Sequence, residues 1–238
     1  MADAATLRSD QIVLRGQEGR HATTVRRLVA GESAYLTDGA GTVVQCVVDA
    51  ARQGELVLTV IDRQSEPRPE PSITVVQAVP KGDRGELAVE LLTEVGVDVV
   101  VPWAAERCVA QWRGERAAKS VARWQSTALQ AAKQSRRAWI PEVTEQVGLA
   151  AVADRVRHAE LGILLDADAP GRLADLTKPN SGEIVLVVGP EGGITTGEQE
   201  ALTAAGAISA RLGPTVLRAS SAGVVAAGVL LSGTARWL

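Results

Sequence analysis

The chain has no Phe, one Tyr, two His and two Cys in 238 residues. Each scarcity excludes something. With no Phe and aromatics at only 3%, the core must be built mostly from Val, Leu, Ile and Ala. Cys46 and Cys108 lie far apart and outside any metal-ligand spacing, so they read as two buried or half-buried thiols in a reducing compartment. His21 and His158 are also remote from one another, and His158, within "DRVRHAE", reads as a surface residue. No Ser-His-Asp arrangement, no G-x-S-x-G elbow and no metal cluster is visible. Hydrolytic and redox chemistry therefore have no carrier, and no metal is expected. The apolar stretch Ala222 to Leu231 falls short of the about 20 residues that cross a bilayer. No basic-then-apolar leader opens the chain, and a cytoplasmic protein is expected.

The formal net charge of −3 argues against a general nucleic-acid binder, but the average conceals an asymmetry. From Arg107 to Arg137 there are eight Arg or Lys residues and one acid, Glu115, whereas Asp83, Glu86, Glu90, Glu94 and Asp98 collect elsewhere. Two readings stand: a basic face on a mildly acidic body, or a solvated helix surface.

The clearest break is "DRQSEPRPEP", Asp62 to Pro71, whose alternating prolines describe a stiff extended connector. Before it, "SAYLTDGAGTVVQCVV" has the pattern of a hairpin turning at Asp38-Gly39, and "GELVLTVI" is another strand. A strand-rich segment of this size fits a small barrel or sandwich. Ahead of the hairpin, "HATTVRRLVAGES" reads as a short helix carrying Arg26 and Arg27 and ended by Gly31. After the connector, "SITVVQAV", "VDVVVPW", "AELGILLDA", "GEIVLVVG" and "AISARLG" are strands. Helices are expected after Pro80, with Leu87, Leu91 and Val95 as its apolar stripe, over about Glu115 to Arg136, after Thr195, and from Ser220. Apolar strands alternating with helices give a mostly parallel α/β sheet covered on both faces.

Ligands of parallel sheets lie at the carboxyl ends of strands. Gly189-Pro190-Glu191-Gly192-Gly193 sits at such an end, with Thr195 or Thr196 placed to cap the next helix and Glu198 in its first turn. The loop lacks G-x-G-x-x-G spacing and a Walker lysine, and Glu191 repels phosphate, so a neutral or cationic ligand suits it. The alternative is a rigid turn. In "LGPTVLRASSAG", Arg218 precedes the last helix, with Ser220 or Ser221 as its cap. Arg218 either binds a ligand, a phosphate or a developing negative charge, or pairs with a carboxylate such as Glu191. In "RWQSTALQAAKQSRRAWIP", Arg123, Gln130, Gln134 and Arg137 recur at helical spacing with Arg136 beside them. That pattern suits RNA, and Trp124 and Trp139 near its ends suit core packing or base stacking.

Taken in order, "HATTVRRL" with Gly31-Glu32, "PKGDRGELAVELLTEVGVDVVVPWAAERC", "RWQSTALQAAKQSRR", "VVGPEGGIT" and "LGPTVLRA" span nearly the whole chain. Together they resemble the bacterial methyltransferases that modify N3 of uridine 1498 in 16S ribosomal RNA, within the SPOUT class. The resemblance implies a PUA-like β-barrel over residues 1–68 and an α/β methyltransferase domain with a deep trefoil knot over 72–238. It implies a homodimer that acts on the 30S subunit with S-adenosylmethionine as donor, the partner subunit helping to present the uridine. Carried onto this chain, the donor would be held by Val188, Gly189, Pro190, Glu191, Gly192, Gly193, Leu212, Gly213, Leu217, Arg218 and Ala219. Arg218 and Glu191 would be the catalytic residues, and the N3 proton would pass to water or to Glu191. Arg26, Arg27, Arg123, Gln134, Arg136 and Arg137 would contact the rRNA. One departure is visible: Ala219-Ser220-Ser221-Ala222 stands where the family commonly has Thr-Glu-Thr-Ala, and Ser220 is given no catalytic role. Two rival readings remain at this stage, a methyltransferase of the same fold acting on another RNA and a non-catalytic RNA-binding assembly protein.

Overall fold

The computed structural model describes residues 1–237, which fall into two compact units. The first comprises Met1–Arg68 with Arg136–Ile140, the second Pro69–Ser135 with the chain from Pro141 onward.

In the first unit, β1 (Gln11–Leu14), β2 (Ser33–Thr37), β3 (Thr42–Arg52) and β4 (Glu55–Ser65) form an antiparallel sheet in the order β1-β4-β3-β2. Period-two alternation explains it: Ile12, Leu14, Leu36, Val44, Cys46, Val48, Leu56 and Leu58 all point into one core, and the residues between them face away. Register shifts at Gln45/Cys46 and Val48/Ala50 bend β3. The expected hairpin is present, with the Asp38 carboxylate accepting the N–H groups of Ala40 and Thr42 at 2.8 and 3.0 Å. The helix expected to end at Gly31 is placed differently. α1 (Gly16–Arg20) starts earlier, continues as a π-helical turn over His21–Val25, and stops where Arg27 enters the left-handed region at φ 53°. The extended connector is also shorter than expected. Asp62–Ser65 contain no proline and pair with Thr42–Gln45 of β3, so only residues after Ser65 are free of the ladder.

The second unit is a six-stranded, wholly parallel sheet. Its elements in chain order are β5 (Ser72–Ala78), α2 (Arg84–Val95), β6 (Val99–Trp103), α3 (Glu115–Gln134), β7 (Glu142–Val143), α4 (Leu149–His158), β8 (Leu161–Leu165), β9 (Glu183–Val188), α5 (Thr196–Ala204), β10 (Ile208–Ala210) and α6 (Ala219–Leu231). The strand order is β10-β8-β9-β5-β6-β7. The central strands are buried on both faces, as their unbroken apolar runs require: Ile184 to Val188 are essentially inaccessible. Val89 and Leu92 of α2, Trp124 and Ala128 of α3, and Ala226 and Leu230 of α6 pack on one face. Val152 and Val156 of α4 and Leu202 of α5 pack on the other.

Three details differ from the sequence reading. α2 buries Gly85, Ala88, Val89 and Leu92, leaving Leu87 exposed and Leu91 and Val95 half-buried. Small residues, not the leucine stripe, let α2 approach its neighbours. α3 ends at Gln134, where the Ser135 hydroxyl donates back to Ala131 O and Arg136 turns left-handed at φ 57°, so Arg136 and Arg137 lie beyond the helix. β7 and α4 were not anticipated. No helix among the described residues is long and apolar enough to cross a membrane.

Candidate functional site

β10, β8 and β9 are neighbours, and their carboxyl ends open into a cavity of about 770 Å³. That volume suits a nucleoside-sized ligand. Three loops line it: Asp166 to Asp168 after β8, Gly189 to Ile194 after β9, and Leu212 to Arg218 leading into α6. Of the eleven residues that the resemblance assigns to donor binding, ten line the cavity, and Gly192 is in the same loop without lining it.

The loop after β9 is braced from several sides. A Cβ on Gly189 would sit 2.6 Å from Ile194 Cγ1, and one on Gly192 would sit 3.0 Å from Arg107 Cβ. These glycines are demanded by the close approach of the chain to itself. Arg107 donates to Gly192 O at 3.3 Å, and Gly193 N–H donates to Pro190 O at 2.9 Å. The Glu191 carboxylate accepts the Lys81 main-chain N–H at 3.4 Å and pairs with Arg84 at 3.5 Å. The suggested pair between Glu191 and Arg218 is not formed.

α5 fixes the far end of this loop. Thr195 is the capping residue: its hydroxyl accepts Glu198 N–H, while Glu198 Oε2 accepts Thr195 N–H at 2.9 Å. Glu198 is 2% exposed, and its other oxygen accepts Glu106 N–H at 2.8 Å, so its charge is met by donors in the interior. Beneath the loop, burial pushes the Cys108 thiol above its ordinary pKa, and Glu198 and Glu191 add to the effect.

The loop before α6 is open. No main-chain hydrogen bond joins Leu212 to Leu217 to any other main-chain group among the described residues, and Val216 is 82% exposed. Arg218 occupies the N-cap position of α6 with its guanidinium exposed and unpaired among the described residues. Neither serine caps the helix: Ser221 donates to Arg218 O at 3.2 Å, and Ser220 is buried.

Two acids in the wall were not singled out from sequence, Asp166 and Asp168. Gln199 donates to Asp166 Oδ2 at 3.1 Å, and Asp168 N–H to Asp166 Oδ1 at 3.0 Å. Their position just past "LGILL" was the available signal, because residues at the carboxyl end of a parallel strand face the ligand. With Glu191 they set three carboxylates against the single guanidinium of Arg218. Such a field favours a cationic ligand and disfavours a polyphosphate.

The residues expected to meet RNA are divided between the units. Arg26 and Arg27 follow the π-helical turn of the first unit and are exposed; Arg136 and Arg137 also belong to that unit. Arg123 and Gln134 are exposed on α3 in the second unit, where Arg123 pairs with Glu86 at 2.9 Å. Trp124 is 1% exposed in the core, edge-on to Trp112. Trp139 donates to the carbonyls of Glu66 and Pro67 and lies under the Arg68 guanidinium. Both indoles are used structurally. Cys46 and Cys108 are buried free thiols, and no group of potential metal ligands occurs among the described residues.

The RNA methyltransferase domain model matches residues 67–231, and an RNA methyltransferase PUA domain model matches residues 14–61. The chain belongs to the RNA methyltransferase family. It is 46% identical over 229 residues to ribosomal RNA small subunit methyltransferase E of Mycobacterium bovis, covering 94% of this chain and 87% of that protein. The Bacillus subtilis protein of the same name is 26% identical over 88% of this chain and 85% of its own length. Among solved structures, ribosomal RNA small subunit methyltransferase E from Neisseria gonorrhoeae, bound to S-adenosyl methionine, superposes with a TM-score of 0.81. It is 27% identical, with 93% of this chain and 91% of that one covered. The fold is thus an α/β methyltransferase fold preceded by a PUA domain.

Proposed function

We propose that this enzyme transfers the methyl group of S-adenosylmethionine to N3 of uridine 1498 in 16S rRNA, acting in the cytoplasm as a homodimer on the 30S subunit. The observation that carries the reading is the cavity at the ends of β8, β9 and β10, walled by one braced and one open loop. The match to small-subunit methyltransferases over nearly the whole chain supports it. In this reading residues 1–68 are the RNA-contacting domain and 72–238 the catalytic domain, with the chain threaded as a trefoil knot.

The cavity fits the donor on three counts. Its volume suits a nucleoside, its unpaired main-chain groups at Leu212 to Leu217 can hydrogen-bond adenine and ribose, and its excess of carboxylates suits a sulfonium and an ammonium. Bound there, S-adenosylmethionine supplies an activated methyl group. Val188 to Gly193 form the floor, and Leu212, Gly213, Leu217 and Ala219 close over it. Arg218 meets the negative charge that spreads over O2 and O4 as N3 loses its proton. Glu191 holds the floor loop against Lys81 and Arg84, and because it is engaged there, the proton passes to water. Arg26, Arg27, Arg123, Gln134, Arg136 and Arg137 bind the rRNA, mostly through phosphates.

The test is transfer of labelled methyl from S-adenosylmethionine to 30S subunits lacking the modification, mapped by mass spectrometry of nuclease fragments. Label on N3 of one 16S uridine is expected. Folded enzyme that gives no label, on subunits which a related active enzyme does methylate, contradicts the reading and favours a non-catalytic RNA-binding protein.

A further inference from the structure

The segment Pro80-Lys81-Gly82-Asp83 joins β5 to α2, which opens with Arg84-Gly85, and the donor cavity leaves most of it without a task. Lys81, Gly82, Asp83 and Arg84, with Leu87 of α2, line an open surface depression. Glu191 links the two. It lines the donor cavity, and it is the residue that takes the Lys81 N–H and pairs with Arg84. The loop is therefore fastened to the floor of the active site through its backbone and through Arg84. The Lys81 ammonium is not part of that fastening. It is exposed, and no hydrogen bond or ion pair engages it among the described residues.

A lone exposed lysine is ordinarily just solvated. Here the charge balance gives it work. With Glu191 committed to Arg84, the donor cavity still holds Asp166 and Asp168 against Arg218. An acceptor nucleotide brings a phosphate, and loss of the N3 proton adds negative charge on the base. Bound donor adds one net positive charge, its sulfonium and ammonium less its carboxylate; with the Arg218 guanidinium that sets two positive charges against two carboxylates and two substrate charges, still a repulsive arrangement in a partly enclosed site. A cation on the acceptor side offsets it. The charged groups around this loop are Lys81 and Asp83 on the loop itself, Arg84 at the start of α2, Glu191 from the loop after β9, and Arg107, which donates to Gly192 O of that same loop. Arg84 is paired with Glu191 and Arg107 is held to Gly192 O, which leaves Lys81 as the cation with no partner among the described residues.

We infer that Lys81 is the acceptor-side cation, its ammonium meeting an anionic oxygen of the target nucleotide, on the base or on its phosphate, while the Arg84–Glu191 pair positions the loop. The inference rests on the methyltransferase reading of the site.

The experiment uses full-length wild type, Lys81→Gln and Lys81→Arg, with S-adenosylmethionine binding measured by calorimetry and methyl transfer to unmodified 30S measured across pH and salt. Lys81→Gln should bind donor within about twofold of wild type and lose about 10–100-fold in kcat/KM, with Lys81→Arg recovering most of it. If the base is the contact, the loss falls in kcat, and the rate rises at higher pH than in wild type because N3 ionises less readily without the cation. If the phosphate is the contact, the loss falls in KM, and the salt dependence becomes shallower by about one counterion. Wild-type kcat, KM and salt slope in Lys81→Gln overturn the inference, as does a parallel loss of donor affinity. A wild-type enzyme that transfers no methyl overturns the underlying reading instead.

Discussion

Two loops face each other across one cavity and are built on opposite principles. Gly189 to Gly193 is tied down by Arg107, Arg84, the Lys81 N–H and an internal bond from Gly193 to Pro190. Among the described residues, Leu212 to Leu217 makes no main-chain bond to other main-chain groups, exposes Val216 and leads to an unpaired Arg218. The braced loop has met its ordering cost before any ligand arrives, so it serves as a preorganised floor. As part of the proposed donor site, the open loop would keep its hydrogen-bonding capacity for the ligand and order on its binding. The proposed site thus separates shape, held by the floor, from closure and charge, assigned to the lid.

That division can be broken first at its charged end. Arg218→Ala should lower kcat by about 10²–10³-fold while leaving donor affinity within a few-fold, because the guanidinium acts on charge that develops only during transfer. Equal losses in kcat and donor binding, measured by steady-state transfer and calorimetry, would make Arg218 a donor ligand instead. Glycines sharpen the comparison next. Gly189→Ala places a methyl against Ile194 and should weaken donor binding by about tenfold or more, whereas Gly213→Ala meets no atom within 4 Å and should cost a few-fold at most. Similar calorimetric affinities for the two variants would erase the distinction between floor and lid.

Stability should follow the same line. Glu198→Ala removes the capping box and strands the Glu106 N–H, so urea unfolding should show a loss of about 2–3 kcal/mol. The smallest effect is a pH dependence. Burial raises the Cys46 and Cys108 thiols in the folded state above their usual 9.0. The unfolded chain therefore loses these protons first, so the thiols' contribution to stability is constant below about pH 9 and falls above it. Replacing both cysteines with Ala should flatten that fall in urea midpoints measured between pH 8 and 10.

Much of this organisation was legible in the residues. Continuous apolar strands such as Ile184 to Val188 signal a parallel sheet because burial on both faces removes the need for polar alternation. Once the sheet is parallel, the ends of its strands locate Gly189 to Gly193 and the approach to Arg218. What stayed hidden depended on distance or on small side chains. Glu191 meets Arg84 across more than one hundred positions, and no local pattern pairs them. The buried stripe of α2 runs through Gly85 and Ala88, where close approach outweighs the stronger hydrophobicity of Leu87. The basic run from Arg107 to Arg137 looked like one face, but α3 stops at Gln134 and its last arginines belong to the other unit. β7 is two residues long and carries no periodicity, whereas Val152 and Val156 of α4 did offer a helical signal.

The central claim is that the donor binds between a rigid floor and a lid that it orders. Amide hydrogen exchange on the full-length protein, with and without saturating S-adenosylmethionine, tests it most directly. Exchange of residues 212–218 should slow by at least about tenfold on donor binding, while the Gly193 amide, already hydrogen-bonded to Pro190 O, should change little. Unchanged exchange in both loops, with donor binding verified in the same sample, would put the donor elsewhere and contradict it.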